Sequence, residues 1–214
     1  RMACPIFDVG GVLYKIAITG GTALSLLFAF KSKFPSTLFS YHPTLLGIGW
    51  LAITPLAIKF LRESKKETKK EAKVEKVKLH GYLNGAAFAA CLGGLYAIFK
   101  NKENMAAAKK QVAKHLVSPH AQLGAVSTAL TFVALLISFY KTYLEKNVGT
   151  ADYTWRNKLH RIVGMLAYVT AGLAIILIVN GPWGHHNLGK AGKLAVSIVL
   201  SLVQSIVVSA YLWG

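Results

Sequence analysis

Six long apolar runs, separated by short stretches that hold nearly all of the charge, set the pattern of the chain. They cover residues 9–30, 41–61, 79–99, 120–140, 159–179 and 194–213. Each is close to the ~20 residues an α-helix needs to cross a ~30 Å hydrocarbon core. Backbone N–H and C=O groups in lipid have no water to bond, so runs of this kind must be helices that satisfy their own backbone. The pattern predicts an all-α membrane protein, a six-transmembrane-helix bundle forming a single domain over residues 1–214. The first run is too long for a secretory signal and has no convincing cleavage site before the next charges, so it is expected to be the first membrane helix. Lys15 interrupts that run. Its ammonium is expected either to snorkel to the nearer interface or to meet a polar partner.

Histidines stand at equivalent places in the four central runs. His42, His80, His120 and His160 open the second to fifth runs, at intervals of 38, 40 and 40 residues. Successive membrane helices run in opposite directions, so alternate histidines return to the same face. His42 and His120 are expected near one surface, and His80 and His160 near the other. At i+4 and i+7 from the last three stand Asn84 and Ala87, Gly124 and Ser127, and Gly164 and Ala167; in the second run Leu46 and Gly49 hold those positions. Residues at these spacings share the histidine's face, and small ones leave a slot beside the imidazole that a planar porphyrin would need. Close helix packing recruits the same small residues, but packing alone does not set a histidine at the head of each helix. Ionisable residues at membrane depth are uncommon and usually functional. The expectation is two haem centres stacked across the membrane between the four central helices, a path for electrons.

The other histidines read differently. His115 lies five residues from His120, about 140° away on a helix, so both cannot face one haem. His120 has glycine at i+4 and is the chosen ligand, which leaves His115 in a loop. His185 and His186, in the stretch GPWGHHN between the fifth and sixth runs, are expected in a loop on the His42/His120 face. Their ordinary role is exposure to solvent, and the functional alternative is binding of ferric iron or another acceptor.

Composition and charge narrow the partners. The chain is 54% hydrophobic and 15% charged, with mean hydropathy +0.45, whereas soluble domains carry about 25% charged residues. The net charge of +17 is spread around helix ends rather than gathered on a soluble module, so no nucleic-acid partner is expected. Membrane lipid with anionic headgroups, or a small anionic substrate, suits it better. With both ends on one face, 15 basic residues lie on that face against 9 on the other, which points it toward the cytosol, or the matrix of a mitochondrion. Residues 63–78 carry glutamate at every fourth position among lysines. That pattern suits solvated helical extensions of the second and third spans, or a basic docking surface for an anion or a partner subunit. Cys4 and Cys91 lie too far apart along the bundle to bridge. No GxSxG, phosphate-binding glycine loop or HExxH motif is present, so hydrolase and nucleotide-driven chemistry lack support.

Four motifs then carry a resemblance. These are FSYHPTL around His42, KLHGYLNG around His80, SPHAQLG around His120 and KLHRIVG around His160. Together, in this order and spacing, they resemble the cytochrome b561 family of transmembrane haem proteins. The likeness is strong over the four central helices and rests on hydropathy alone in the first and last. The gap between His80 and His120 is slightly long for the family, which implies an enlarged loop over about 101–117, beside the basic loop over about 62–79. The resemblance implies two haem b groups, each held by two histidines: His42 with His120, and His80 with His160. It further implies ascorbate-dependent reductase activity, with electrons passing from ascorbate to monodehydroascorbate or ferric iron on the opposite face. Lys78 matches a basic position the family uses for the ascorbate anion, and Lys76, Arg156 and Lys158 could add positive potential there. A plasma-membrane or endomembrane location follows from the resemblance, with the mitochondrial inner membrane as the alternative. The chain could work as a homodimer, or as a haem-bearing accessory subunit of a larger membrane complex such as a respiratory assembly.

Overall fold

The computed structural model describes residues 9–141 and 157–213, and among them there is no strand. The helices are α1 (Val9–Lys31), α2 (Leu38–Gly47), α3 (Thr54–Lys66), α4 (Lys70–Ala108), α5 (Pro119–Phe139), α6 (Lys158–Asn180) and α7 (Pro182–Trp213). A π-helical turn, Ile48–Ile53, joins α2 to α3 into one span, so among the described residues six helices are long and apolar enough to cross a membrane. The expected six-helix membrane bundle is the observed one.

Three of the histidine-bearing helices are started by a polar side chain just ahead of the histidine. Thr37 accepts from the Ser40 N–H, Ser118 from the Ala121 N–H, and Asn157 from the His160 N–H. Each satisfies one of the amide groups that a helix start leaves without a partner. The fourth, α4, is different. It runs for 39 residues, about 58 Å at 1.5 Å per residue, nearly twice the apolar thickness. The basic stretch 63–78 is therefore mostly helix: α3 continues to Lys66, α4 resumes at Lys70, and only 67–69 turn between them. At its other end α4 continues to Ala108, which shortens the loop expected over 101–117.

The π-helical turn has a local cause. Pro55 has no N–H to offer the carbonyl of Leu51, four residues back. The Thr54 N–H bonds to the Gly49 carbonyl, five residues back, and the Thr54 hydroxyl donates to the same oxygen at 2.8 Å. The carbonyl of Leu51 instead faces α1, where a Cβ on Gly21 would lie 1.9 Å from it. Only glycine lets the two helices approach so closely. On the other side, a Cβ on Gly49 would lie 2.8 Å from Cys91 Sγ and 2.9 Å from the Ala87 carbonyl, so this turn is also where α4 crosses tightly.

The core runs along the middle of the bundle, through Tyr14, Phe28, Trp50, Leu51, Tyr168, Leu200 and Val207. Large apolar side chains such as Leu26, Phe30, Tyr96 and Leu173 point outward, as a lipid-facing belt requires. The last helix bends at Gly189, whose φ of 66° and ψ of 180° lie in a region essentially reserved for glycine. His185 and His186, expected in a loop, sit on the short helical turn before that bend, and both are exposed. Cys91 is buried and free; Cys4 lies outside the described residues.

Candidate functional site

The four histidines are held from two half-bundles. In the first, made of α2, α3 and α4, His42 Nδ1 donates to the Gly94 carbonyl at 3.1 Å and His80 Nδ1 to the Ala57 carbonyl at 2.9 Å. In the second, α5 with α6, His120 Nδ1 donates to the Ala174 carbonyl at 2.8 Å and His160 Nδ1 to the Ala134 carbonyl at 3.0 Å. A carbonyl can only accept, so the proton of each neutral imidazole must sit on Nδ1. That leaves the lone pair of each imidazole on Nε2, and the Asn84 amide nitrogen lies 3.4 Å from that of His80. An outer hydrogen bond of this kind both orients a histidine and raises its strength as a metal ligand.

The carbonyl partners show a regular register. Gly94 lies 14 residues after His80, Ala134 14 after His120, and Ala174 14 after His160, while Ala57 lies 15 after His42. Fourteen residues are about four turns, so histidine and carbonyl share a helix face about 21 Å apart. Each helix thus carries a histidine near one surface and an anchor for a neighbour's histidine near the other. The one interval of 15 belongs to the span with the π-helical turn, which takes up the extra residue.

Across the gap between the half-bundles the imidazoles come together in two pairs. His42 and His120 have ring centroids 6.1 Å apart, His80 and His160 6.4 Å, with ring planes at 89° and 82°. Two imidazole nitrogens about 2.0 Å from a shared metal, each about 1.1 Å from its ring centre, would put centroids about 6.2 Å apart. Both pairs have that separation. The backbones of α2 and α5, and of α4 and α6, do not pack directly against each other, so in each pair only the side chains approach. The four histidines form no cluster of three or more metal-binding side chains among the described residues; each pair can supply two ligands, and a metal there would need the rest from a flat macrocycle. Beside His120, on the same helix face at i+4, a Cβ on Gly124 would meet nothing within 4 Å, whereas beside His80 the Asn84 amide at i+4 lies 3.3–3.4 Å from the ring nitrogens. His80 and His160 share a cavity with Trp50, Ala87, Ala134, Gly164 and Ala167. The Trp50 and Tyr168 rings, 6.4 Å apart and buried, fill the middle of the bundle between the two levels.

The remaining candidates divide. Lys78 and Lys158 are exposed at the His80/His160 end. Lys76 instead pairs with Glu67 at 2.8 Å, and this hydrogen bond holds the Glu67 carboxyl below its ordinary pKa. Arg156 lies outside the described residues. His115 stacks on Phe99 with centroids 3.7 Å apart, away from both pairs, and His185 and His186 join neither. Sequence reasoning missed the four carbonyl acceptors. No signal in one sequence could have found them, because every residue has a carbonyl.

Comparison with known proteins gives the chain a family. The model of the eukaryotic cytochrome b561 family matches residues 41–181, which run from α2 to the end of α6 and include all four histidines. A Caenorhabditis elegans protein, named as a transmembrane ascorbate-dependent reductase and CYB561 homolog, is 24% identical over 196 residues, covering 86% of this chain and 72% of that protein. No solved structure matches the chain significantly.

Proposed function

Because the chain belongs to the eukaryotic cytochrome b561 family, multi-pass membrane proteins that use haem b for transmembrane electron transfer, we propose that it carries electrons through two haem b groups. His42 and His120 hold one, and His80 and His160 the other. The observation that carries this reading is the two pairs of imidazoles with ring centroids 6.1 and 6.4 Å apart, each locked by its Nδ1–H on a carbonyl. Held by two histidine nitrogens, such a group would supply one-electron transfer rather than oxygen binding. The chain's own residues do the rest. The carbonyls of Gly94, Ala57, Ala174 and Ala134 fix ring orientation, and Trp50 and Tyr168 keep the space between the levels dry.

The donor is ascorbate, in line with the name of the nematode relative, and it arrives at the His80/His160 face. Lys78 and Lys158, with Lys76 and Arg156 in support, draw the anion in. Monodehydroascorbate or ferric iron accepts the electron at the His42/His120 face, where His185 and His186 could serve iron. A second reading, a haem-bearing accessory subunit of a larger complex, draws on the lysine-rich helical extensions that α3 and α4 project past the apolar core; stoichiometric co-purification with such a complex would favour it.

The full chain in detergent should show two haem b per polypeptide by pyridine haemochrome assay, and its reduced-minus-oxidised spectrum should develop on titration with ascorbate. A protein with no haem, or with haem that ascorbate leaves oxidised, overturns the reading. Gly124→Leu offers a finer check. It fills the open space beside His120, so one of the two haems should be lost while the other stays.

A further inference from the structure

Asn84 is the one polar residue among the four that follow the paired histidines by a helical turn; Leu46, Gly124 and Gly164 hold the equivalent places at i+4. Its amide nitrogen donates to the His80 carbonyl at 2.9 Å, a tie back along its own helix that fixes where the side chain lies. The same nitrogen stands 3.3 Å from His80 Nδ1 and 3.4 Å from Nε2. An approach in line with one ring nitrogen would leave the other far off, so near-equal distances put the amide over the face of the imidazole. The ring cannot swing from under it, because its Nδ1–H is held by the Ala57 carbonyl of α3 at 2.9 Å. Asn84 also lines the cavity that His80 shares with His160, together with Thr54 and Thr131. Both hydroxyls are committed to carbonyls of their own spans, Gly49 and Ser127, at 2.8 Å. An amide nitrogen carries two hydrogens, so Asn84 has a second one beyond its bond to the His80 carbonyl, and the ring face is what that hydrogen meets.

On the reading that a haem sits at the His80/His160 pair, we propose that Asn84 is a positioning residue that raises the reduction potential of that centre alone. Two effects have the same sign. The positive end of an N–H dipole over the ring draws electron density from the imidazole. That weakens it as a donor to iron, against the push that the Nδ1–H bond to Ala57 supplies. The same dipole, fixed in a buried cavity, disfavours the oxidised iron, which carries one positive charge more than the reduced iron. The His42/His120 pair has Leu46 and Gly124 in the matching places, with no amide to do the same. Asn84 therefore separates two centres whose ligands and carbonyl anchors are otherwise alike, and it makes the one on the lysine-bearing face of Lys78 and Lys158 the readier to accept an electron.

The test is optical potentiometry of the full chain with its haem bound. Asn84→Leu, similar in size but without the amide, should lower the potential of one centre and leave the other where it was. The expected change is a roughly fivefold shift in the reduction equilibrium, the range of one hydrogen-bonding contact, or about 40 mV where tenfold is 59 mV for one electron. Asn84→Ala, which opens room instead of filling it, should move the potential the same way and serves where the leucine variant loses haem. In a His42→Ala background, which keeps only the His80/His160 centre, the shift should persist. In a His80→Ala background it should vanish. An unmoved or raised potential in either variant that keeps both haems overturns the role of Asn84 and leaves the haem assignment standing. Loss of that haem from both variants overturns it too, since Asn84 would then be holding the group instead of tuning it. A wild-type chain with no haem at the His80/His160 pair overturns the haem assignment itself.

Discussion

Replacing His120 with alanine should halve the haem content of the purified protein, from two per chain to one, with the remaining haem still reducible. The variant removes one of two imidazoles whose rings are 6.1 Å apart; the opposite pair stands about 21 Å away along the helices and keeps both of its anchors. The same change strips the Ala174 carbonyl of its donor, a loss worth about 1–3 kcal/mol where the group stays buried. Some fall in thermal stability should accompany the lost haem. His115→Ala is the control. Its ring is committed to Phe99, so haem content should stay at two. Two haems in His120→Ala with one in His115→Ala would reassign the ligand.

Ascorbate should reduce the His80/His160 centre first. A His42→Ala protein, which keeps that centre, should be reduced at close to the wild-type rate in stopped flow. A His80→Ala protein, which keeps only the His42/His120 centre, should be reduced far more slowly, because the donor's basic face then has no redox centre beneath it. Lys78→Ala should slow reduction up to about fivefold at low salt, the range of one exposed ionic contact, and the difference should shrink as salt screens it. Lys76→Ala should do less, since Glu67 already holds that ammonium. Fast reduction of the His80→Ala protein would move the donor to the other face, and failure of ascorbate to reduce any of these proteins would favour the accessory-subunit reading.

The histidine pairing was legible without coordinates because a membrane leaves a chain few choices. Apolar runs of bilayer length must be helices, and successive helices must reverse. A histidine at the head of each of four runs therefore alternates between faces by count alone. The small residues at i+4 and i+7 were legible too, since helical periodicity puts them on the histidine's face; Gly124 has the open space beside it that this predicts. Helix ends were less so. The apolar runs marked only where hydrophobic residues begin, and the start of α4 ten residues ahead of His80 was legible only from the glutamates spaced four apart among lysines over 63–78.

By itself, then, the sequence determined the number of spans, the level of each histidine and which histidines share a level, because these follow from hydrophobic length and antiparallel order. Three things were decided only in the tertiary structure. One is which carbonyl holds each imidazole, and so which nitrogen carries the proton. Another is the π-helical turn that lets a 15-residue interval in the second span match the 14-residue intervals of the others. The last is the seat of the Asn84 amide over the His80 ring, whose orientation the Ala57 carbonyl on α3 sets. Each depends on how far one helix is rotated and raised against its neighbour, and close contacts such as Gly21 on Leu51 and Gly49 on Cys91 set that rotation and height.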